Sequence, residues 1–98
     1  MTNRRHLRLM SDYGAGWPLW DAQGAVDPSA FDISPALTRR LQAWQEHFEE
    51  HFHYDTGWQS TEDAAVYAEE GKTLRRLLAI EIGWRADVEL DLWPIPAN

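Results

Sequence analysis

Apolar and polar residues alternate through Arg5-His6-Leu7-Arg8-Leu9-Met10, which predicts a short strand ending at the turn Ser11-Asp12-Tyr13-Gly14. After Ser34-Pro35 the period becomes helical. Leu37, Leu41, Trp44, Phe48 and Phe52 recur at spacings of four, three, four and four, which makes one buried stripe along one helix. Ser34 suits the N-cap, and Pro35 the first helical position, where its missing N–H costs nothing. A break is expected at Asp55-Thr56-Gly57-Trp58, and a second helix after Ser60, whose spacing to Asp63 approximates a capping box. Its inner face carries Tyr67, Leu74, Leu77, Leu78 and Ile82, with Gly71 on the same side. That glycine costs about 1 kcal/mol of helix propensity, which is tolerable where the backbone must approach a neighbour closely. Gly83 is a suitable C-terminal cap. Alternation then returns: Ala86, Val88, Leu90 and Leu92 face one way, Asp87, Glu89, Asp91 and Trp93 the other, until Pro94 and Pro96 end the strand.

The predicted order is strand, long loop, helix, helix, strand. This is a small two-layer α+β domain, β-α-α-β, filling residues 1–98 as a single unit. A helix hairpin returns the chain to the end it left, so the expectation is a short antiparallel sheet under two helices, with Arg5 and Arg8 facing Glu89 and Asp91. Two strands alone are marginal. Either the long loop adds to the sheet, or a second copy pairs with its free edge to make a homodimer.

That loop, about twenty residues long, is unusually long for so small a domain. It holds Tyr13, Trp17 and Trp20 among Gly14, Gly16, Pro18 and Gly24, which break up regular structure. Loops seldom carry so much apolar weight, so these aromatics either fold back as a lid or face a partner. Tyr13, Trp17, Trp20 and Trp93, rimmed by Asp12, Asp21 and Asp91, have the composition of an interaction surface with an aromatic centre and a charged rim. Of the three loop aromatics, Trp17 is the one more easily packed onto the sheet.

Composition narrows the partner. A formal charge of −7, from 16 acidic against nine basic side chains, disfavours nucleic acid and anionic membranes and favours solubility or a basic protein partner. With no cysteine, disulfides and thiolate metal sites are excluded. The start, Met1 to Met10, is basic through Arg4, Arg5 and Arg8 and has no following apolar run; the expectation is no signal peptide, no membrane span and a cytoplasmic location.

Candidate chemistry is sparse. His47-Phe48-Glu49-Glu50-His51 reads as H-x-x-E-H, the pattern of inverzincin metalloproteases, with His47 and His51 as ligands and Glu50 activating water. Those enzymes need another carboxylate ligand, for which Glu69, Glu70 or Glu81 is the candidate, and a larger domain. The plainer reading is two histidines on an amphipathic helix, with no cofactor and no metal. His53, two positions beyond His51, joins them only if the helix ends early. The serines sit in turns or caps, no phosphate loop is present, and Asp12 and Asp21 suit turns that bond their own backbone, so no catalytic residue is assigned.

Tyr13-Gly14, Pro18-Leu19-Trp20-Asp21 and Asp32-Ile33-Ser34-Pro35 leading into Leu41-Gln42-Ala43-Trp44 resemble a pattern in small acidic bacterial proteins, mainly of actinobacterial type, to which no activity attaches. By size and charge the chain also looks broadly like immunity proteins or antitoxins, which neutralise basic toxins by covering their sites. The expected function is therefore a non-enzymatic protein-binding module of immunity or antitoxin type, acting through Tyr13, Trp17, Trp20, Asp21, Asp12 and Trp93. The alternative is a small metal-dependent hydrolase built on His47, Glu50 and His51.

Overall fold

Leu7 and Leu9 point inward from the first strand while His6 and Arg8 point out, and this alternation sets the orientation of the sheet in the computed structural model, which describes residues 5–14 and 16–95. Arg4 and Pro96 lie outside the described residues. The main sheet has four strands, β1 (Arg5–Leu9), β2 (Leu19–Asp21), β3 (Gly24–Ala25) and β6 (Ala86–Leu90), in the order β3-β2-β1-β6. Between β3 and β6 run α1 (Pro35–His51), a small hairpin of β4 (Phe52–His53) and β5 (Gly57–Trp58), and α2 (Thr61–Ile82). The α+β class and the helix pair over a sheet stand as expected.

The helix ends follow their sequence signals. The Ser34 hydroxyl accepts from the Leu37 N–H at 3.2 Å, and the Ser60 hydroxyl from the Asp63 N–H at 3.0 Å. Gly83 closes α2 with φ of 64°, the left-handed region that a glycine enters without a Cβ penalty. Leu37, Leu41, Trp44 and Phe48 of α1 meet Tyr67, Leu74, Leu78 and Ile82 of α2 over Leu7, Leu9 and Leu19. Gly71 sits where α2 presses on its neighbours: a Cβ there would lie 3.0 Å from Leu92 Cδ2 and 3.0 Å from Trp44 Cζ2. At the centre, the Trp44 and Tyr67 rings stack at 4.5 Å, and the Trp44 indole donates to the Tyr67 carbonyl at 2.8 Å.

One expectation is corrected. β1 and β6 are parallel, Arg5 to Leu9 registering with Ala86 to Leu90, so the sheet is mixed. The reason lies in the long connection. β2 returns antiparallel to β1, and a 3-10 turn, Pro28–Phe31, then brings the chain to the starting end of β1, where the Arg5 guanidinium lies 4.8 Å over the Phe31 ring. α1 starts and α2 ends at that same end, tied by Ser34 to Glu81 at 2.7 and 2.8 Å and by Arg85 to the Phe31 carbonyl at 2.9 Å. β6 must therefore leave in the direction of β1. The expected charge pairs shift accordingly: Glu89 meets His6 at 2.8 Å and Arg8 at 3.9 Å, whereas Arg5 pairs with Asp21 at 2.6 Å. The last strand is also shorter than its alternation, since β6 ends at Leu90 and Trp93 follows in a turn. Among the described residues no helix is long and apolar enough to cross a membrane.

Candidate functional site

The carboxyl ends of β1 and β6 carry most of the residues singled out from sequence. Beyond β1, the Met10 N–H donates to the Pro18 carbonyl at 2.8 Å, and beyond β6 the Asp91 N–H donates to the Leu9 carbonyl at 2.9 Å, so both loops leave the sheet side by side. β2 buries Leu19 and by alternation turns Trp20 to the open face, where its indole donates to the Met10 carbonyl at 2.8 Å.

Two adjoining hollows result. One of about 440 Å³ is lined by His6, Arg8, Met10, Trp20, Asp21 and Ala22. The other, about 320 Å³, is lined by Met10, Asp12, Asp91 and Trp93, and Met10 is common to both. Beside the second hollow the exposed Tyr13 ring meets Trp93 edge-on at 5.7 Å and lies 5.4 Å from Phe48. Trp93 is 41% exposed and Tyr13 45%, so each leaves part of its ring open while resting on apolar support.

The acidic rim is held by its own backbone. Asp12 accepts from the Tyr13 N–H at 2.8 Å, Asp21 from the Gln23 N–H at 2.8 Å, and Asp91 from the Trp93 N–H at 3.0 Å. The Gln23 N–H, helped by Arg5 and outweighing an opposing desolvation, holds the Asp21 carboxyl below the usual carboxylate range. Desolvation, followed by the Asp12 and Asp55 charges, pushes the Tyr13 phenol up, so it remains neutral at physiological pH.

Trp17 lies apart from these residues. It packs against the buried core, its indole donating to the Val26 carbonyl, and it lines neither hollow. Met10 is the contributor that the sequence reading missed. Its signal was present, since extending the alternation of β1 by one step places Met10 on the same side as His6 and Arg8.

The metal candidates also regroup. His47, His51 and Asp63 bring one ligand atom each within 4.8 Å of the others, whereas Glu50 is exposed and outside that group. Glu70 is engaged by Arg40 at 2.8 and 3.0 Å, Glu69 by Lys72 at 3.4 Å, and Glu81 by Ser34. α1 does end at His51, but His53 is exposed and stacks on Tyr54 at 4.7 Å. The carboxylate grouped with the two histidines is thus Asp63, not Glu69, Glu70 or Glu81, and Glu50, the residue expected to activate water, does not join them.

Residues 5–91 match the family described as Serratia CdiI immunity protein-like. The chain belongs to this family of immunity proteins. No curated protein matches it. Membership supplies what the geometry alone leaves open: a CdiI-like immunity protein binds a toxin and holds it inactive, so the partner is a protein. The immunity reading of the sequence is borne out, and the hydrolase alternative gains no support from the family.

Proposed function

We propose that this CdiI-like immunity protein neutralises a basic toxin domain by covering it with the surface that Met10 joins, formed by Trp20, Asp21, Asp12, Trp93 and Tyr13. The observation that carries this reading is that the two hollows share Met10 as a wall, with exposed aromatic rings beside carboxylates already fixed by their own backbone. Preformed aromatic anchors lose little conformational entropy on docking, and a ring of carboxylates steers a cationic partner toward them. Trp17 acts from beneath, as support for the loop. The setting we propose is the bacterial cytoplasm, where the toxin would meet its inhibitor.

Pairing of β6 with a second copy is a secondary arrangement, since the outward Asp87 and Glu89 would repeat like charges across such an edge. A monomeric mass at micromolar concentration removes it. The decisive experiment is capture of the toxin from lysate of the producing cell, followed by titration against Trp20→Ala and Trp93→Ala. The proposal expects a basic captured domain and, for each variant, affinity weakened by about 2 kcal/mol or more with the fold intact. Undiminished binding by both variants, or an acidic toxin, overturns it.

A further inference from the structure

The end of α1 and the start of α2 meet around the β4–β5 hairpin, and this corner holds the histidine cluster. His47 and His51 are one helical turn apart, and their rings stack at 4.4 Å. Asp63 faces them from the first turn of α2. All three are half-buried.

Their hydrogen bonds settle which nitrogens are available. His51 Nδ1 lies 2.9 Å from the His47 carbonyl oxygen. A carbonyl only accepts, so Nδ1 carries the hydrogen and the lone pair of His51 is on Nε2. That Nε2 lies 3.9 Å from Asp63 Oδ1, too far for a hydrogen bond. Two ligands of one cation at about 2.0–2.1 Å stand roughly 3.3 Å apart in a tetrahedron and about 4 Å apart when opposite each other, and 3.9 Å falls within that span. His47 is anchored in the same manner, its Nε2 donating to the Asp63 carbonyl at 2.9 Å, which orients the ring and leaves its lone pair on the other nitrogen. A backbone carbonyl behind each imidazole is the outer support that metal-binding histidines usually have.

We propose that His47, His51 and Asp63 bind a divalent first-row transition ion, Zn²⁺ in the first instance, with water completing the coordination. Two imidazoles and one carboxylate suit such an ion better than Ca²⁺ or Mg²⁺, which take oxygen ligands. The ion clips α1 to α2 across the connection of residues 52–60, whose only regular elements are the two-residue strands β4 and β5. By joining neighbouring helix ends it constrains a connection that has little secondary structure of its own. The site is independent of the toxin surface, and its role is to brace the fold.

The test is calorimetric titration of untagged, chelator-treated protein with ZnCl₂ at pH 7.5, alongside thermal melts. One ion per chain is expected, with the melting temperature rising by roughly 10 °C at a hundredfold excess over Kd. His51→Ala and Asp63→Asn should each weaken Zn²⁺ binding at least about tenfold, since loss even of an outer-shell partner costs that much. Among the described residues the His51 side chain hydrogen-bonds a carbonyl of its own helix, so His51→Ala keeps the test open should Asp63→Asn fail to fold. His53→Ala and His6→Ala should bind as the parent does. No binding by the parent chain, binding unchanged in both ligand variants, or binding lost with His53→Ala overturns the proposal.

Discussion

The Tyr67 hydroxyl donates to the Trp93 carbonyl at 3.0 Å, so a fully buried side chain from α2 holds the turn that carries one of the exposed indoles of the proposed toxin surface. The same ring stacks on Trp44, which links the centre of the core to the rim of the site. Tyr67→Phe keeps the stack and removes the tether. We expect it to cost about 1 kcal/mol of stability and to weaken toxin binding, both readable from one purified variant by denaturant melts and titration.

Burial pushes the Tyr67 phenol up to about 12, an effect that the neighbouring Ser11 only partly offsets. The folded value lies above the unfolded value of about 10, so folding favours the neutral phenol. Its stabilising contribution is complete below pH 10 and is lost as the pH rises from about 10 to 12, by up to about 1.4 kcal/mol per pH unit. Urea melts from pH 8 to 11.5 should show that decline, and Tyr67→Phe should lack most of it.

Gly71→Ala opposes two effects of known size. Helix propensity improves by about 1 kcal/mol, but the new methyl meets Leu92 and Trp44 at 3.0 Å. The Leu92 methyl can yield, whereas Trp44 is fixed by its stack and by its indole hydrogen bond. Overpacking of this kind costs about 1–3 kcal/mol, so a net loss near 1 kcal/mol is expected. A variant more stable than the parent would mean that the α2 contact is looser than described.

Both helices were legible because their signals are local: Ser34 and Ser60 cap, Gly83 ends α2, and the apolar stripe has one period. The direction of β6 was not legible from those signals. It depends on Phe31 and Ser34 returning to the start of β1, contacts that span the molecule and leave no periodic trace. The proposed toxin surface divides in the same way. Asp12 and Asp21 could be read as turn residues from their neighbours alone, and both do bond their own loops. Trp17 and Trp20, three positions apart in one loop, could be separated only weakly before the register of β2 with β1 was known. Asp63 escaped because a helix-capping context fully accounts for an aspartate there, while its approach to His51 depends on the angle at which the β4–β5 hairpin returns the chain.

The acidic rim should act on association more than on dissociation. Asp21 is largely offset by Arg5 at 2.6 Å, whereas the bonds given to Asp12 and Asp91 come from neutral backbone N–H groups. Asn at either of those two positions preserves the turn and removes the charge. Asp12→Asn with Asp91→Asn should therefore slow toxin association several-fold at low salt and flatten its salt dependence, and Asp21→Asn should do less. Stopped-flow association between about 20 and 300 mM salt would read this, and equal effects from all three would show that Arg5 does not screen Asp21.

Trp17 and Trp20 should separate stability from binding. Trp17 packs against the buried core and gives its indole hydrogen to Val26, the residue following β3. Removing that ring leaves a void under the loop and an unpaired carbonyl, for which about 3 kcal/mol of stability is a fair expectation, with affinity per folded molecule little changed. Trp20 faces the larger hollow from the opposite side of the sheet to the helices, so Trp20→Ala opens no cavity in the helix-facing core. Its loss should fall on toxin affinity, by about 2 kcal/mol or more, with cooperative unfolding retained. Parallel melts and titrations on the two variants decide the matter. Cooperative unfolding lost in Trp20→Ala, or affinity lost in Trp17→Ala at full folding, would reverse the roles assigned to the two indoles and move the docking surface to the β3 side of the sheet.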